Sequence, residues 1–314
     1  MTTVAPAAAG TRSTRLALSA AVASGALVAL QQRVNGELKT ELGDALLTAL
    51  VSFGTGLVAV VAVVLARPSA RAAVGRVREV PWPQRLGGLG GAWLVAVGAA
   101  AAPELGVALL TVGLVAGQTS GGLAVDRLGL GPGGAHGLTP PRVAGAVLCL
   151  LAVGISVLGE GARAADPLLL VLVVVAGFAI SVQQALNGRV RRTTGDAWVA
   201  TLVNFVVGSL ALAAGVLAHA VIAGLDVGSW PGPDQWYLYT GGPMGATFVA
   251  VAALVVRLLG VLRLGLAVIA GQLVGALLLD LTLPVHDRGV DVLTFVGVAL
   301  TLVAIGVSGK EVRS

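Results

Sequence analysis

QQRVNGELKTELGDALLTALVSFGTG, the stretch from residue 31 to residue 56, occurs a second time as QQALNGRVRRTTGDAWVATLVNFVVG at residues 183–208. The copies align without a gap at an offset of 152 residues, and 11 of the 26 positions are identical. The identical positions include amides, glycines and an aspartate, which a shared apolar composition does not produce. The repeat predicts two equivalent units, which we place at residues 16–160 and 161–314, after a disordered tail at residues 1–15.

The composition indicates an integral membrane protein. Of the 314 residues, 56% are hydrophobic and only 11% are charged, whereas soluble domains carry about 25% charged residues. A membrane-spanning helix needs about 20 mainly apolar residues. Ten apolar runs meet this requirement approximately, at residues 16–34, 44–66, 86–102, 105–125, 142–159, 167–186, 197–222, 236–256, 261–281 and 291–308. Runs three and four, like runs eight and nine, are joined so tightly that we expect antiparallel hairpins, the first of them turning at Pro103-Glu104.

Several other classes of function are disfavoured by the sequence. The net charge of +5 comes from Lys and Arg residues scattered between apolar runs, which suits membrane flanks rather than a nucleic-acid surface. The single cysteine has no partner for a disulfide, and the three histidines are isolated, so we expect no metal site. No nucleotide-binding motif and no catalytic grouping occur, so we expect neither a cofactor nor an enzyme activity. The expected partners are a small-molecule solute and the lipid bilayer.

The distribution of basic residues predicts the orientation. With ten spans and both termini in the cytoplasm, 16 of the 20 Lys and Arg residues fall on the inner side, as positively charged loops should. We therefore expect a multi-pass protein of the plasma (inner) membrane.

The same distribution predicts that the two units face opposite ways. Each unit has five spans, an odd number, so the second unit must enter the membrane inverted. The loop after the first run carries balanced charge, but its counterpart carries Arg189, Arg191 and Arg192. In the loop after the second run the contrast is reversed, and the basic residues lie in the first unit and not in the second. Inverted-topology repeats are typical of alternating-access transporters.

Amide side chains within the apolar runs are the candidate solute-binding groups, since buried polar groups at membrane depth are costly unless paired or wetted. Gln31 and Asn35 share a helix face, and Gln183 and Asn187 repeat it. This face can line or gate a pathway, or it can clamp neighbouring helices through hydrogen bonds. Ser52 and Asn204, which precede a shared phenylalanine, are weaker candidates.

A second repeated element, AGQTSGGLAVD at residues 116–126 and AGQLVGALLLD at residues 270–280, places Gln118 and Gln272 near the middle of their runs. These glutamines are the preferred candidates for a central binding site, with helix packing as the alternative. Asp126 and Asp280 follow at the ends of the runs. Each is either a protonatable gate or a solvated helix-end charge.

Glycines spaced by four predict flat helix faces for close packing. They are Gly87 and Gly91; Gly113, Gly117 and Gly121; Gly241 and Gly245; and Gly271 and Gly275.

The repeated motifs resemble those of the YdcZ-type membrane family. They are Gly-x5-Gln-x3-Asn-x7-Gly from Gly25 to Gly43, a Ser/Asn-Phe-x2-Gly in the second run, a Gly-Gly-x2-Gly opening the third, and Gly-Gln…Asp in the fourth. That family belongs to the drug/metabolite transporter (DMT) superfamily, together with EamA-like proteins and the small multidrug exporters. The resemblance covers residues 16–160 and 167–309 and suggests two fused five-helix units. It implies an all-α integral membrane fold with ten transmembrane helices.

The resemblance further implies a secondary transporter, in the direction of export, that moves a small polar or amphipathic metabolite. The small multidrug exporters use a membrane glutamate in the first helix, where this chain has glutamines. Amide-lined sites here suit a neutral or zwitterionic solute better, with an anion near Arg257 or Arg263 as the alternative. A passive channel between the repeats and a non-transporting membrane scaffold are the alternatives. The fused units can act as a monomer, with a homodimer as the alternative state.

Overall fold

The computed structural model describes residues 11–130, 140–157, 166–225, 227–259, 261–283 and 292–308, and this part of the chain is helical with no strand. The helices, numbered in chain order, are α1 Thr11–Leu42, α2 Ala45–Ala66, α3 Pro68–Val74, α4 Trp82–Arg85, α5 Gly87–Arg127, α6 Pro140–Val157, α7 Pro167–Thr194, α8 Ala197–Ile222, α9 Gly241–Leu259, α10 Val261–Thr282 and α11 Val292–Ser308. Short 3₁₀ helices occupy Gly75–Glu79 and Pro233–Thr240.

Five helical segments among the described residues are long and apolar enough to cross a membrane. They are Thr14–Leu42, Ala45–Ala66, Trp82–Arg127, Pro167–Thr194 and Ala197–Ile222. The apolar parts of α6, α10 and α11 are shorter. The all-helical membrane architecture is therefore confirmed, and the number of ten crossings stays a prediction.

Two helices extend beyond the runs predicted from the sequence. Helix α1 begins at Thr11, inside the segment expected to be a disordered tail, and runs to Leu42 rather than residue 34. Helix α7 likewise continues to Thr194. The polar ends of both helices were too hydrophilic to be counted with the apolar runs, although they remain helical beyond them. Residues 1–10, Arg163, Arg288, Lys310 and Arg313 lie outside the described residues.

The shared Gly-Asp pair makes the turn after the first helix in each repeat. Gly43 and Gly195 have φ values of 79° and 80°, the left-handed conformation that ends helices and that glycine adopts without a steric penalty. Asp44 then caps α2 by accepting from the Leu47 N–H at 2.7 Å, and Asp196 caps α8 by accepting from the Trp198 N–H at 2.7 Å. This pair therefore repeats because the turn geometry requires it.

Helix α5 contains two arms that run in opposite directions. It carries Pro103 and is interrupted at Gly106, where φ is 73° and ψ is 162°. In the first arm, Gly87 lies against Asn187 and Gly91 against Gln183, so this arm is antiparallel to α7. In the second arm, Gly113 lies against Val173 and Gly121 against Ser181, so this arm is parallel to α7. This reversal agrees with the predicted hairpin and places its centre near Gly106.

The repeats pack through each other. Helix α1 packs against α9 and α10 of the second repeat, and α7 packs against both arms of α5 in the first. Helices α2 and α8 pack together, as do α6 and α11. The rings of Phe53 and Phe205, which occupy equivalent positions in the two repeats, have centroids 5.0 Å apart. The two repeats therefore also meet through this equivalent pair.

The predicted glycine faces lie at these crossings. A methyl group at Gly117 would collide with the Val174 carbonyl of α7, and one at Gly271 would collide with the Val22 carbonyl of α1. The prediction of close packing is confirmed at both equivalent positions.

The segment after the second helix of each repeat covers the end of the other repeat's first helix. Arg76 Nη1 donates to the Thr194 carbonyl at the end of α7, at 3.1 Å. Reciprocally, the Gly228 N–H donates to the Leu42 carbonyl at the end of α1, also at 3.1 Å. Both contacts cross between repeats, so the ends of α1 and α7 are held by the opposite unit.

Candidate functional site

The amides of the second repeat form a connected cluster. Asn204 on α8 is buried, and its Oδ1 accepts from Gln183 Nε2 at 2.9 Å and from Asn187 Nδ2 at 3.1 Å. Gln183 and Asn187 are four residues apart on α7, so both reach the same acceptor. In this repeat the amide face joins α7 to α8, which is the clamp alternative considered from the sequence.

The equivalent groups of the first repeat are not connected in this way. Asn35 on α1 is 0% exposed, and neither its Oδ1 nor its Nδ2 has a hydrogen-bond partner. Ser52, which stands where the second repeat has Asn204, is 2% exposed and its Oγ also lacks a partner. Serine carries a hydroxyl group where asparagine carries the longer carboxamide group. The difference between Ser52 and Asn204 therefore distinguishes the cluster with hydrogen-bonded side chains in the second repeat from the cluster without them in the first.

Glycines of the opposite repeat cover both amide faces. A methyl group at Gly241 on α9 would collide with Asn35 Oδ1, and one at Gly245 would lie 2.8 Å from Gln31 Nε2. In the same manner, a methyl group at Gly87 would lie 2.7 Å from Asn187 Oδ1. The Gly-Gly-x2-Gly motif therefore leaves room for the amides.

Gln118 and Gln272 lie at two different helix crossings. The backbone carbonyl of Gln118 accepts a hydrogen bond from Ser181 Oγ at 2.7 Å. A methyl group at Gly177 on α7 would lie 3.0 Å from the backbone nitrogen of Gln118. Similarly, a methyl group at Gly25 on α1 would lie 2.9 Å from the backbone nitrogen of Gln272. Gln272 is buried and its Oε1 has no hydrogen-bond partner. The backbones of the two glutamines thus pack equivalently, although the Gln272 side chain is buried and that of Gln118 is half-buried, and their role in binding stays a prediction.

Asp280 is a buried helix cap. It is 8% exposed, and its carboxylate accepts from the N–H groups of Val107 at 3.1 Å and Ala108 at 2.7 Å. These N–H groups open the second arm of α5, just after Gly106. The interpretation of Asp280 as a solvated helix-end charge is wrong, because tertiary packing brings α10 of the second repeat against the α5 turn of the first.

Asp126, the equivalent of Asp280, is partly buried at the end of the second α5 arm. Nearby, Arg189 Nη2 donates to the Gly129 carbonyl at 2.7 Å and joins this end of α5 to α7. Asp126 takes part in interactions of its own, and its role as a gate stays a prediction.

Gln32 is a candidate that the sequence argument passed over. It is 2% exposed, its Oε1 has no hydrogen-bond partner, and a methyl group at Gly98 on the first arm of α5 would collide with that oxygen. Its counterpart, Gln184, is exposed. The identity of the two glutamines was visible in the repeat, but helix geometry alone could not show which copy is buried. No group of three or more His, Cys, Asp or Glu side chains that could hold a metal ion occurs within the described ranges.

The apolar helices and the two interpenetrating repeats define the class of protein: an integral membrane protein built from a duplicated helical unit. The model of the DMT_YdcZ family, whose description reads "Putative inner membrane exporter, YdcZ", matches residues 16–155 and again residues 168–307. The two matches together cover most of the chain, one for each repeat. The chain belongs to this family of the DMT superfamily, as its motifs suggested, and the family's description is that of a membrane transporter.

A solved crystal structure supports the fold. It matches 96% of this chain and 99% of its own chain, with a TM-score of 0.57 at 21% sequence identity. At that identity the likeness concerns the fold alone. No curated protein matches the sequence significantly.

Proposed function

We propose that this protein is a secondary transporter that exports a small polar or amphipathic metabolite by alternating access between two inverted five-helix units. The observation that carries the proposal is the equivalent packing of Gln118 against α7 and of Gln272 against α1. Each crossing joins one repeat to the other, and the backbone of a glutamine lies in the contact. A rocking motion of the repeats would change both crossings together.

The inter-repeat loop contacts support the inverted arrangement. The tight turn at Gly43 makes α1 and α2 antiparallel, so the segment after α2 lies on the side opposite the end of α1. Arg76 in that segment holds the end of α7. This contact supports the proposal that α1 and α7 end on opposite sides, as the equivalent helices of inverted units should.

The same contacts support the predicted orientation. The segment from Arg67 to Arg85 and the α7 end with Arg189, Arg191 and Arg192 were both predicted to be cytoplasmic, and Arg76 joins them directly. On the other side, Gln235 Nε2 donates to Glu41 Oε1 at 3.1 Å, within segments predicted to be external. These pairings support the proposal that both termini lie in the cytoplasm.

The chemistry of the buried polar groups favours a neutral or zwitterionic solute. Gln272 and Asn35 can donate and accept hydrogen bonds but carry no charge. Their unpartnered buried atoms would each cost about 1–3 kcal/mol if nothing satisfied them. A solute that offers hydrogen-bonding groups would remove this cost, which gives it an affinity for the site.

Counterflow in proteoliposomes tests the proposal and identifies the solute in the same experiment. Vesicles holding the purified protein are loaded with an unlabelled metabolite extract and placed in a uniformly ¹³C-labelled extract. Mass spectrometry then identifies which labelled metabolite accumulates inside. We expect saturable uptake of a small uncharged or zwitterionic compound. Unsaturable flux without exchange would indicate the channel instead, and no flux of any compound would favour the scaffold.

The paired change Gln118→Ala and Gln272→Ala assigns the site. It should abolish counterflow while the protein still inserts and elutes as a single species in detergent. Exposed Glu104 provides the matched control, since Glu104→Ala should leave counterflow unchanged. Full counterflow in the double variant would remove both glutamines from the binding site.

A further inference from the structure

The two copies of the amide face differ in one place that matters chemically. In the second repeat, the Asn204 carboxamide fills the space between α7 and α8 and supplies the acceptor for Gln183 and Asn187. In the first repeat, Ser52 supplies no carboxamide, and both polar atoms of the Asn35 side chain remain without a partner. The second repeat therefore contains a carboxamide, that of Asn204, at the position where the first repeat lacks one.

We propose that Asn35 and Ser52 form a subsite for a neutral hydroxyl or carboxamide group of the transported solute, and that this group takes the place that Asn204 occupies in the second repeat. This inference rests on the proposed transport function. In this proposal the amide face of the second repeat holds α7 and α8 together, whereas the amide face of the first repeat binds the solute.

The donors and acceptors of the subsite define the class of ligand group. An oxygen in the position of Asn204 Oδ1 would accept from Asn35 Nδ2, as that atom accepts from Asn187 Nδ2 in the second repeat. Asn35 Oδ1 needs a donor as well, and the Ser52 hydroxyl can serve either way. Hydroxyl and carboxamide groups offer both functions. The surrounding Gln31, Gly241 and Gly245 carry no charge, and an unpaired ion buried there would be strongly disfavoured.

The cover of the subsite is a helix with no side chains at the point of contact. Gly241 and Gly242 open α9; methyl groups there would collide with Asn35 Oδ1 and with the Ser52 carbonyl, respectively. Asn35 is fully buried beneath this turn. Entry of a solute group requires the first turn of α9 to move away from α1 and α2. The structure therefore represents the closed form of this subsite.

Cysteine accessibility tests the subsite directly, because the chain has a single native cysteine. Ser52→Cys is made in a Cys149→Ala background, in the full-length protein in native membranes. The probe is 2-hydroxyethyl methanethiosulfonate, which carries a neutral hydroxyl group. Thr48→Cys is the matched control, since Thr48 lies one turn away on α2, is also fully buried, and its hydroxyl already donates to the Asp44 carbonyl. We expect Ser52→Cys to react at least about tenfold faster, equivalent to about 1.4 kcal/mol.

Reagents of different charge distinguish a subsite that prefers neutral groups from a position that is accessible to any reagent. The 2-sulfonatoethyl and 2-aminoethyl reagents are similar in size but carry a charge, and they should modify Ser52→Cys more slowly than the hydroxyethyl reagent does. Equal rates for Ser52→Cys and Thr48→Cys, or no preference for the neutral reagent, would overturn the proposal. Labelling does not require transport, so a wild type without counterflow but with selective labelling would remove the transport function and leave the subsite.

A second pair of variants tests the equivalence of the two repeats without any reagent. Ser52→Asn introduces the carboxamide that the second repeat already has, so it should satisfy Asn35 and raise Tm in detergent. Asn204→Ser removes the shared acceptor and should lower Tm. A lower Tm in Ser52→Asn would show that the space is not the one Asn204 fills, and the proposal would fail.

Discussion

Asp280 illustrates how one side chain connects the repeats. Its carboxylate accepts hydrogen bonds from the N–H groups of Val107 and Ala108, which precede it in the chain by 173 and 172 positions. The N–H groups at the start of a helix have no intrahelical acceptor, and in an apolar setting an unsatisfied group is costly. The carboxylate therefore compensates for the break that Gly106 makes in α5.

Replacement of Asp280 by alanine should destabilise the protein by about 2 kcal/mol, since hydrogen bonds to a charged group contribute about 1.5–3 kcal/mol. The measurement is Tm in detergent, compared with Glu104→Ala, which removes an exposed carboxylate beside the same turn. Asp280→Asn should fall between the two, because the amide keeps one acceptor oxygen. Equal Tm values for Asp280→Ala and Glu104→Ala would contradict the capping role.

At the scale of the elements, the reversal within α5 depends on a glycine. Gly106 has a φ of 73° and a ψ of 162°, a conformation that is essentially restricted to glycine and costs a residue with a side chain about 1–3 kcal/mol. A methyl group there would also lie 2.9 Å from Asp280 Oδ2. Both effects act at the one point where the two α5 arms must turn.

Gly106→Ala should therefore lower the free energy of unfolding by about 2 kcal/mol or more, with a reduced yield of folded protein as a second sign. Gly122 on the same helix is the matched control, because a methyl group there meets no atom within 4 Å. Gly122→Ala should leave Tm unchanged or raise it, since alanine favours a helix by up to about 1 kcal/mol over glycine. The hairpin assignment would be contradicted if both variants behaved alike.

At the scale of the whole molecule, each repeat depends on the other. The first helix of each repeat packs against helices of the opposite repeat, and Phe53 meets Phe205 at the centre. A single repeat would expose these contact faces to lipid. The proposed alternating access would require movement at these interfaces between the repeats.

Reporter fusions test the inverted arrangement. A reporter inserted between Arg71 and Arg78 should read the cytoplasm, and one inserted after Ser229 should read the outside, although both sites follow the second helix of their repeat. A reporter fused after Ser314 should read the cytoplasm. The same side for the first two insertions would rule out inverted units, and an external signal at the third would overturn the orientation.

The sequence by itself determined the duplicated helical membrane architecture and the family. Long apolar runs, repeated motifs and the Gly-Asp turns are properties of neighbouring residues, so they are readable in order along the chain. Helices α2 and α8 begin and end within a residue of the predicted limits for this reason. The amide faces were also visible, since spacing by four fixes their placement on a helix.

Only the tertiary structure decided what those polar residues contact. Asn204 satisfies two amides while Ser52 satisfies none, Gln32 is buried while Gln184 is exposed, and Asp280 caps a distant helix. Each outcome depends on side-chain length and on contacts between helices far apart in sequence. Identical motifs therefore acquired different surroundings, because the two repeats pack with different partners at single positions that the repeat pattern does not reveal.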